Sequence, residues 1–310
     1  MIDSLGGTPD VRQVPEPEVR DGDVFLRVRA AAINPVDLSI SRGGFYRGDP
    51  ELPYVPGSEG VGELDGQLVY FEVAGGFEGR TGSLAELVAV PRESFLPLPD
   101  SIQPPLALGL GIAGLAAWLG LEWTGKLQPG ERVLVLGASG PVGQVGVQAA
   151  KLLGAGRVVA AARSEAGLAR ARELGADATV SCAETGDLTA RFREAAEGEF
   201  DVVLDPLWGA PGAAALASLK AFGRHVQIGQ SAGAEASVPS AVIRGRSRRI
   251  LGHTNFLVPQ EDRTAAYRKM VEHAVAGELT VDYEVLPLER VAEAWQRQAS
   301  SPGRKLVLTP

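Results

Sequence analysis

Residues 137–143, with the sequence GASGPVG, form a glycine-rich loop between an apolar run at 132–136 and a stretch with helical spacing. Backbone N–H groups in such a loop can approach a pyrophosphate, and the N-terminus of the next helix favours negative charge. Gly140 leaves room for the phosphates, and Gly143 lets the helix lie close to the strand. Ala138 replaces the first glycine of the usual fingerprint, so a ligand-free turn is the alternative, but a second strand–helix unit favours dinucleotide binding. The candidate contacts are Ser139, Gly140, Pro141, Val142 and Gly143.

The second apolar run, residues 158–162, is followed by Arg163 and Ser164. Folds that bind NAD usually have an acidic residue there, about 20 residues beyond the glycines, that holds the ribose 2′-hydroxyl. Arg163 can instead pair with a 2′-phosphate, while Ser164 can cap the next helix. Glu165 lies in the first turn of that helix, where the helix dipole favours an acid. A solvated arginine is the alternative, but this pattern favours NADPH as the cofactor.

Polar residues and glycines follow the later apolar runs of the chain. The carboxyl ends of strands in a doubly wound sheet face the ligand crevice, so residues at those ends are candidate cofactor contacts. These candidates are Asp205 and Pro206 after the fourth run, Gly229, Gln230 and Ser231 after the fifth, and Asn255 and Phe256 after the last.

Residues that commonly bind zinc are scarce. The sequence has one cysteine, Cys182, and three scattered histidines, His225, His253 and His273. A catalytic zinc needs about three protein ligands and a structural zinc about four, so we predict no metal site. Without a metal or an evident base to take up the alcohol proton, oxidation of simple alcohols is disfavoured.

The chain has 310 residues, 45% of them hydrophobic and 22% charged, which predicts a globular protein of two domains. Its net charge of −8 argues against nucleic acid or an anionic membrane as the main partner. The single cysteine excludes an internal disulfide and the N-terminus shows no signal-peptide pattern, so we expect a cytoplasmic protein. Residues 102–121 carry no charge, but their prolines and glycines favour a buried helix over a membrane span.

Two patterns divide the chain. Residues 1–100 are rich in proline and glycine and contain short candidate strands, such as residues 24–29. Apolar runs then alternate with helical segments up to a last strand at 250–252, which predicts βαβ units and a parallel sheet covered on both faces. A helix at 264–275, a strand, another helix and a strand at 305–308 follow. The fold class is therefore α/β.

Six motifs are distributed over nearly the whole chain. They are AAINPVD at 31–37, PYVPGSEGVG at 53–62, GSLAE at 82–86, GASGPVGQVGVQAAK at 137–151, ELGAD at 173–177 and GRKLVL at 303–308. Together they resemble the motifs of the zinc-independent quinone oxidoreductases, the zeta-crystallin-like branch of the medium-chain dehydrogenase/reductase superfamily.

The resemblance implies a bipartite protein. Residues 1–100 and 255–310 would form a substrate domain built on a GroES-like, partly open β-barrel. Residues 101–254 would form a Rossmann-type, doubly wound parallel sheet that binds the dinucleotide, and the active site would be the cleft between the domains. Members of the family commonly form homodimers through the last strand of the nucleotide sheet, here residues 249–252.

Three positions depart from the family pattern. Ser58 occupies the place of a histidine in the zinc-dependent alcohol dehydrogenases of the superfamily. The stretch at 62–69 is shortened, which reshapes the expected cleft. Ala116 stands where relatives often have a threonine near the nicotinamide, so one expected cofactor contact is in doubt.

A conjugated acceptor suits an enzyme without a metal. Hydride delivered to a quinone leaves a phenolate-like oxygen with a pKa of roughly 10, and water can supply the proton. An enone gives a more basic enolate, which would benefit from a positioned donor. Candidates for binding the acceptor oxygen are Asn34, Tyr46 and Tyr54, with Asp37 orienting the loop; a turn or packing role is the alternative for each. The resemblance implies that Asn34 and Tyr46 face the cleft and that Lys305 lies near the cofactor.

We therefore expect an NADPH-dependent, zinc-independent oxidoreductase that transfers a hydride to a small-molecule quinone or α,β-unsaturated carbonyl. An enoyl-thioester reductase of a biosynthetic pathway is one alternative, and it needs a groove for a long pantetheine arm. A non-catalytic protein that senses NADPH or binds RNA is another, although the acidic charge counts against RNA.

Overall fold

The computed structural model describes residues 1–310 and divides into two compact units. Unit 1 comprises Met1–Ile112 and Val281–Pro310, and unit 2 comprises Ala113–Thr280. The sequence predicted boundaries at 100/101 and 254/255, whereas the units divide at 112/113 and 280/281. Residues 255–280 therefore belong to the same unit as the nucleotide loop.

The helix Gln260–Val275 accounts for the position of the second boundary. The ring of His273 lies 5.7 Å from that of Trp118, and the backbone of Thr280 exchanges hydrogen bonds of 2.7 and 3.0 Å with the amide of Gln148. All of these partners belong to unit 2. Helical periodicity predicted this helix, but periodicity does not identify the unit on which a helix packs.

Unit 1 contains a seven-stranded sheet and three α-helices. The strands are β1 (Asp23–Ile33), β2 (Glu59–Leu64), β3 (Gln67–Glu72), β4 (Leu87–Pro91), β5 (Phe95–Pro97), β12 (Tyr283–Pro287) and β13 (Lys305–Thr309), and the helices are α1 (Pro35–Arg42), α2 (Pro104–Gly109) and α10 (Val291–Ala299). The strand order is β12-β13-β1-β2-β3-β5, and β4 also pairs with β1. All pairs are antiparallel except β12 with β13.

Strand β1 organises this sheet because three strands pair with it. Its first half pairs with β4, its middle with β2 and its last three residues with β13. A register shift between Val28 and Ala30 marks a bulge, which bends the strand. Burial alternates along the first half of β1, as predicted for residues 24–29, and Leu26 and Val88 join the core of the unit.

A tight turn joins β2 and β3. Leu64 pairs with Gln67, so only Asp65 and Gly66 connect the two strands. Both have positive φ angles, 50° and 83°, as two-residue hairpin turns require. The hairpin lies within the stretch at 62–69, and the shortening of that stretch relative to the family stays a prediction.

Unit 2 contains a six-stranded parallel sheet. The strands are β6 (Arg132–Leu136), β7 (Arg157–Ala162), β8 (Ala178–Ser181), β9 (Phe200–Asp205), β10 (Leu219–Gln227) and β11 (Arg249–Gly252), and the helices are α3 (Leu115–Leu119), α4 (Pro141–Leu152), α5 (Glu165–Glu173), α6 (Leu188–Ala196), α7 (Gly209–Ser218), α8 (Ser240–Arg244) and α9 (Gln260–Val275). The strand order is β11-β10-β9-β6-β7-β8, so the chain crosses from one side of β6 to the other after β8. This reversal is the switch point at which doubly wound sheets bind ligands. The predicted Rossmann-type sheet is confirmed.

One helical stretch, Pro104–Thr124, is long and apolar enough to cross a membrane by length and composition. In its most apolar window of 18 residues, 78% are buried inside the protein, which is the environment of a core helix. Close packing requires glycine at one point: a Cβ on Gly109 would lie 2.0 Å from Cγ1 of Val281.

Candidate functional site

The glycine-rich loop connects β6 to α4 in unit 2. Gly137 has a φ of 63°, and Gly140 is the N-cap of α4 with Pro141 at the first helical position. The N–H of Ala138 donates to Ala161 O at 2.9 Å, which fastens the loop to β7. The N-terminal turn of a helix presents unpaired N–H groups, so the loop and α4 form a potential anion site beside the switch point.

Gly140 and Gly143 serve different purposes in this loop. A Cβ on Gly143 would lie 2.3 Å from Gly137 O and 2.5 Å from Ala138 Cα, so the packing of α4 requires glycine there. A Cβ on Gly140 would meet nothing nearer than Gly137 O at 3.7 Å, and its φ of −89° suits any residue. The fold therefore does not require a glycine at 140, and the open space beside it fits a bound phosphate.

The end of β7 carries the residues predicted to select the cofactor. Arg163 is exposed. Ser164 Oγ accepts the N–H of Gly167 at 3.2 Å and caps α5, as predicted, and Glu165 lies in the first turn of that helix. The end of the strand itself, Ala162, offers no carboxylate for a ribose 2′-hydroxyl.

Asp205, at the end of β9, lies on the other side of the switch point. It is wholly buried, and its Oδ1 accepts the N–H groups of Leu207 and Trp208 at 2.7 and 2.8 Å. Its Oδ2 lies 2.7 Å from Nε2 of His225. The carboxylate is thus directed into the protein, where it supports the loop that begins with Pro206.

The predicted residues after β10 border that loop. The N–H groups of Gly229 and Ser231 donate to Asp205 O and Pro206 O at 3.4 and 3.3 Å. Gln230 and Ser231 are exposed. The loops after β9 and β10 therefore form one hydrogen-bonded edge at the carboxyl ends of the sheet.

The predicted residues after β11 differ in burial. Asn255 is buried, and its Oδ1 lies 3.1 Å from Nε2 of His253, whose Nδ1 lies 2.8 Å from Thr124 Oγ1. Burial lowers the pKa of His253, although the bond to Asn255 opposes this shift. A neutral imidazole can accept from the threonine and donate to the amide oxygen. Phe256 is 39% exposed.

A cluster of buried polar side chains lies in unit 1. Nζ of Lys305, at the start of β13, donates to Glu59 Oε1 at 2.5 Å and to Asn34 Oδ1 at 2.6 Å. The amide of Asn34 also donates to Glu59 Oε1 at 2.8 Å. Glu59 Oε2 accepts from Tyr70 OH at 2.9 Å and from the N–H of Ile112 at 2.7 Å. We refer to Asn34, Glu59, Tyr70 and Lys305 as the Lys305 cluster.

The Lys305 cluster engages two of the predicted site residues. Asn34, predicted to bind the acceptor oxygen, uses its amide within the cluster, and Lys305, predicted to lie near the cofactor, has its ammonium between Asn34 and Glu59. Buried charges are tolerated when they are paired and hydrogen-bonded, as they are here. Sequence reasoning missed Glu59 and Tyr70, which sit in strands with no local sign of a polar role.

Asp37 lies next to this cluster, in the first turn of α1. Its Oδ2 accepts the N–H of Asn34 at 2.6 Å, and its Oδ1 accepts from Ser58 Oγ at 2.5 Å. Burial raises the pKa of Asp37 to about 6. Ser58, at the position where the resemblance implies a histidine in zinc-dependent enzymes, thus serves as a hydrogen-bond donor to Asp37.

The two predicted tyrosines lie in different surroundings. Tyr54 is buried, its hydroxyl has no hydrogen-bond partner, and burial raises its pKa. Tyr46 is 67% exposed, and its ring centroid lies 4.2 Å from that of Phe45. Of the three predicted acceptor residues, Asn34 alone belongs to the Lys305 cluster.

Potential metal ligands are dispersed. No group of three or more His, Cys, Asp or Glu side chains is arranged to hold a metal ion. His225 pairs with Asp205 and His273 with Glu278. Chemistry without a metal stays a prediction.

Two protein families match parts of the chain. Residues 20–100 match the alcohol dehydrogenase GroES-like domain, and residues 141–273 match the zinc-binding dehydrogenase family. The first match lies in unit 1 and the second in unit 2. The predicted combination of a GroES-like domain with a Rossmann-type sheet is confirmed.

Two similar proteins are longer than this chain. It is 30% identical, over 94% of its length, to a phenolphthiocerol/phthiocerol polyketide synthase protein of Mycobacterium tuberculosis, but spans only 14% of that protein. It is 35% identical, over 62% of its length, to the chloroplastic NADPH-dependent alkenal/one oxidoreductase of Arabidopsis thaliana, and this match covers 51% of that protein.

A solved structure matches the chain from end to end. The quinone oxidoreductase from Thermus thermophilus, determined also in complex with NADPH, is 30% identical to the chain and has a TM-score of 0.81. The match covers 100% of this chain and 98% of that one. The chain belongs to the quinone oxidoreductase branch of the medium-chain dehydrogenase/reductase superfamily.

Proposed function

We propose that the protein is an NADPH-dependent oxidoreductase that transfers a hydride to a quinone or an α,β-unsaturated carbonyl compound without a metal. The observation that carries this proposal is the loop at 137–143, where packing requires a glycine at 143 but not at 140. A space that the fold itself does not need supports a ligand phosphate beside Gly140. The exposed Arg163 supports NADPH over NADH.

When bound, NADPH supplies the hydride. The chain's own residues would bind and orient it. The N-terminus of α4 would hold the pyrophosphate, and Arg163 would form a bidentate contact with the 2′-phosphate. Asp205 holds the loop after β9 in one conformation by accepting two of its N–H groups.

A conjugated acceptor takes up negative charge on its oxygen as hydride arrives. For a quinone this oxygen resembles a phenolate, with a pKa of roughly 10, and water can protonate it. For an enone, a hydrogen-bond donor would lower the barrier further. We propose Tyr46 as a substrate-site residue, and its 67% exposure supports its use as such a donor. Asn34 is 2% exposed and its amide is bonded to Glu59 and Lys305, so we propose that it acts through the Lys305 cluster.

The relatives support this acceptor class. One is named a quinone oxidoreductase and was solved with NADPH, and another is named an NADPH-dependent alkenal/one oxidoreductase. A second candidate substrate is an enoyl thioester, supported by the similarity of 94% of the chain to part of a polyketide synthase. Its conjugated carbonyl would accept hydride by the same chemistry.

Oxidation of NADPH, followed at its absorbance band, tests the proposal. The panel contains a benzoquinone, an ortho-quinone, an enal, an enone and an enoyl thioester, each with and without protein. We expect turnover with at least one quinone, enal or enone. Turnover with the thioester alone would favour the second candidate. Binding of NADPH without oxidation in any reaction would identify a non-catalytic NADPH-binding protein instead.

We also propose a homodimer joined through β11. This strand forms one edge of its sheet, pairs only with β10, and exposes 41% of Ile250. An unpaired edge can pair with the same strand of a second copy. Light scattering during gel filtration should give twice the chain mass, and Ile250→Lys should shift the protein towards monomer; a wild-type monomer at all concentrations contradicts this proposal.

A further inference from the structure

Trp208, the N-cap residue of α7, has an unusual backbone conformation. Its φ is 55° and its ψ is −151°, a combination that residues other than glycine rarely adopt. A glycine, Gly209, comes only one position later. Strained conformations persist where the surroundings enforce them, and they are frequent at binding sites.

A buried pair of side chains enforces this conformation. Asp205 and His225 are both 0% exposed, and Oδ2 of the aspartate lies 2.7 Å from Nε2 of the histidine. The other oxygen, Oδ1, accepts the N–H groups of Leu207 and Trp208. The Trp208 ring meets the His225 ring edge-on, with centroids 5.7 Å apart and planes at 78°. Backbone and side chain of Trp208 are therefore held by the same pair.

Two features surround the Asp205–His225 pair: a glycine that leaves room for it and a buried nitrogen without a hydrogen-bond partner. A Cβ on Gly212 would lie 2.5 Å from Asp205 Oδ2 and 3.2 Å from Cε3 of Trp208, so glycine leaves the room that both side chains occupy. Nδ1 of His225 is buried and has no hydrogen-bond partner. A buried polar atom without a partner is destabilising, which favours a role of the pair other than stability alone.

The loop that begins after Asp205 contacts the nucleotide loop. A Cβ on Gly137 would lie 3.1 Å from Cδ2 of Leu207 and 3.2 Å from Cγ of Pro206, so both side chains lie directly against that glycine. On the other side of this loop, Leu207 O accepts the N–H of Ala232 at 2.8 Å. Residues 206–209 therefore connect the glycine-rich loop to the loop after β10.

We propose that Trp208 is a positioning residue of the cofactor site: held by the buried Asp205–His225 pair, it fixes residues 206–209 against Gly137. The proposal rests on the proposed function only in requiring that the glycine-rich loop binds a dinucleotide. Residues 206–209 border the switch point on the β9 side, whereas Arg163 borders it on the β7 side. A complete dinucleotide depends on both sides, but its 2′-phosphorylated adenosine half depends on the β7 side.

The test compares two ligands, NADPH and adenosine 2′,5′-bisphosphate, whose dissociation constants are measured by calorimetry. The variants are Trp208→Gly, which removes ring and strain together, and His225→Phe, which removes the donor to Asp205 but keeps an aromatic ring. Phe192→Leu is the matched control, because Phe192 is wholly buried in the core of unit 2 but belongs to α6, outside the loop.

In Trp208→Gly and His225→Phe we expect the Kd of NADPH to rise about tenfold. A change of this size corresponds to the loss of one or two net hydrogen bonds. The Kd of the bisphosphate should stay within about twofold in every variant, and Phe192→Leu should leave both constants within about twofold although it lowers the melting temperature. Trp208→Ala should melt below Trp208→Gly, because alanine resists the conformation that glycine adopts freely.

Unchanged NADPH affinity in Trp208→Gly or in His225→Phe overturns the proposal. An equal loss of affinity for NADPH and for the bisphosphate also overturns it, because that result would indicate a general loosening of unit 2. If Trp208→Ala melts above Trp208→Gly, the inference that the backbone of Trp208 is strained is wrong. In these cases wild-type binding of NADPH leaves the proposed function intact. A wild-type protein that binds neither ligand overturns both.

Discussion

Nζ of Lys305 lies 2.5 Å from Oε1 of Glu59, and the two side chains are 2% and 0% exposed. The strands that carry them, β13 and β2, both pair with β1, so the ion pair spans the central strand of unit 1. Asn34 and Tyr70 satisfy further hydrogen-bonding capacity of the two charged groups. The Lys305 cluster therefore links strands β13, β2 and β3 through a buried, hydrogen-bonded charge pair.

Removing one member of this ion pair should be strongly destabilising. Lys305→Met leaves the Glu59 carboxylate buried without its counter-charge, so we expect a loss of about 3 to 5 kcal/mol in the free energy of unfolding, measured in urea.

Two controls accompany this measurement. Lys305→Met combined with Glu59→Gln removes both charges and should recover most of the loss. Lys269→Met breaks an exposed pair with Glu122 and should change the free energy of unfolding by no more than about 1 kcal/mol. A loss as small in Lys305→Met as in Lys269→Met would contradict the role of the buried pair.

Asp37 should make stability depend on pH in an unusual direction. Burial raises its pKa to about 6, whereas an unfolded chain has an aspartate pKa of about 4. Between these values the folded state binds the extra proton, so the contribution of Asp37 to stability is present below about pH 4, falls as the pH rises to about 6 and is constant above.

The comparison with Asp37→Asn isolates this effect, because the other carboxylates of the two proteins cancel. The free energy of unfolding of the wild type minus that of the variant should fall by about 2 to 3 kcal/mol between pH 4 and pH 7. A flat difference would show that Asp37 titrates normally, and a difference that rises would show that its pKa is lowered; either result contradicts the expected effect of burial.

Much of the nucleotide-binding unit was predictable from the sequence, for local reasons. Most strands of its sheet contain an apolar run, and Gly140 and Gly143 lie in the loop after β6 and at the start of α4. Ser164 caps α5 in the structure because a serine at that position can accept an N–H of the first turn. Such signals lie within a few residues of one another, so no knowledge of tertiary packing is needed.

The rest depended on contacts between distant parts of the chain. Lys305 and Glu59 are 246 positions apart, and only the pairing of their strands with β1 brings them together. Because strand ends face the crevice, the sequence predicted the position of Asp205 at the end of β9. The sequence did not predict the direction of its side chain, which pairs with a histidine 20 positions later. Helix α9 was predicted as a helix, but its packing partner Trp118 lies far away in sequence.

Arg163 should distinguish the two nicotinamide cofactors. In Arg163→Asp, a carboxylate replaces the guanidinium that we propose pairs with the 2′-phosphate, so we expect the Kd of NADPH to rise about 100-fold. The Kd of NADH, which has no 2′-phosphate, should change by less than about threefold. Fluorescence titration measures both constants.

The matched control is Arg268→Asp, which makes the same change of charge at an exposed position of α9 in the same unit. It should leave both constants nearly unchanged. If Arg163→Asp weakens both cofactors equally, the arginine does not select NADPH.

The glycine-rich loop offers the most direct test of the central claim that it binds NADPH. A Cβ at 140 meets no atom nearer than 3.7 Å, whereas a Cβ at 143 would lie 2.3 Å from Gly137 O. Gly143→Ala should therefore lower the melting temperature, because backbone must move to admit the methyl group. Gly140→Ala should leave the melting temperature unchanged and place its methyl group in the space where we propose that the phosphates bind.

The decisive measurement is the Kd of NADPH for Gly140→Ala beside its melting temperature. We predict a Kd at least about tenfold above that of the wild type, in a protein that melts as the wild type does. Wild-type affinity in this variant would contradict the account, because the space beside Gly140 would then not hold the cofactor.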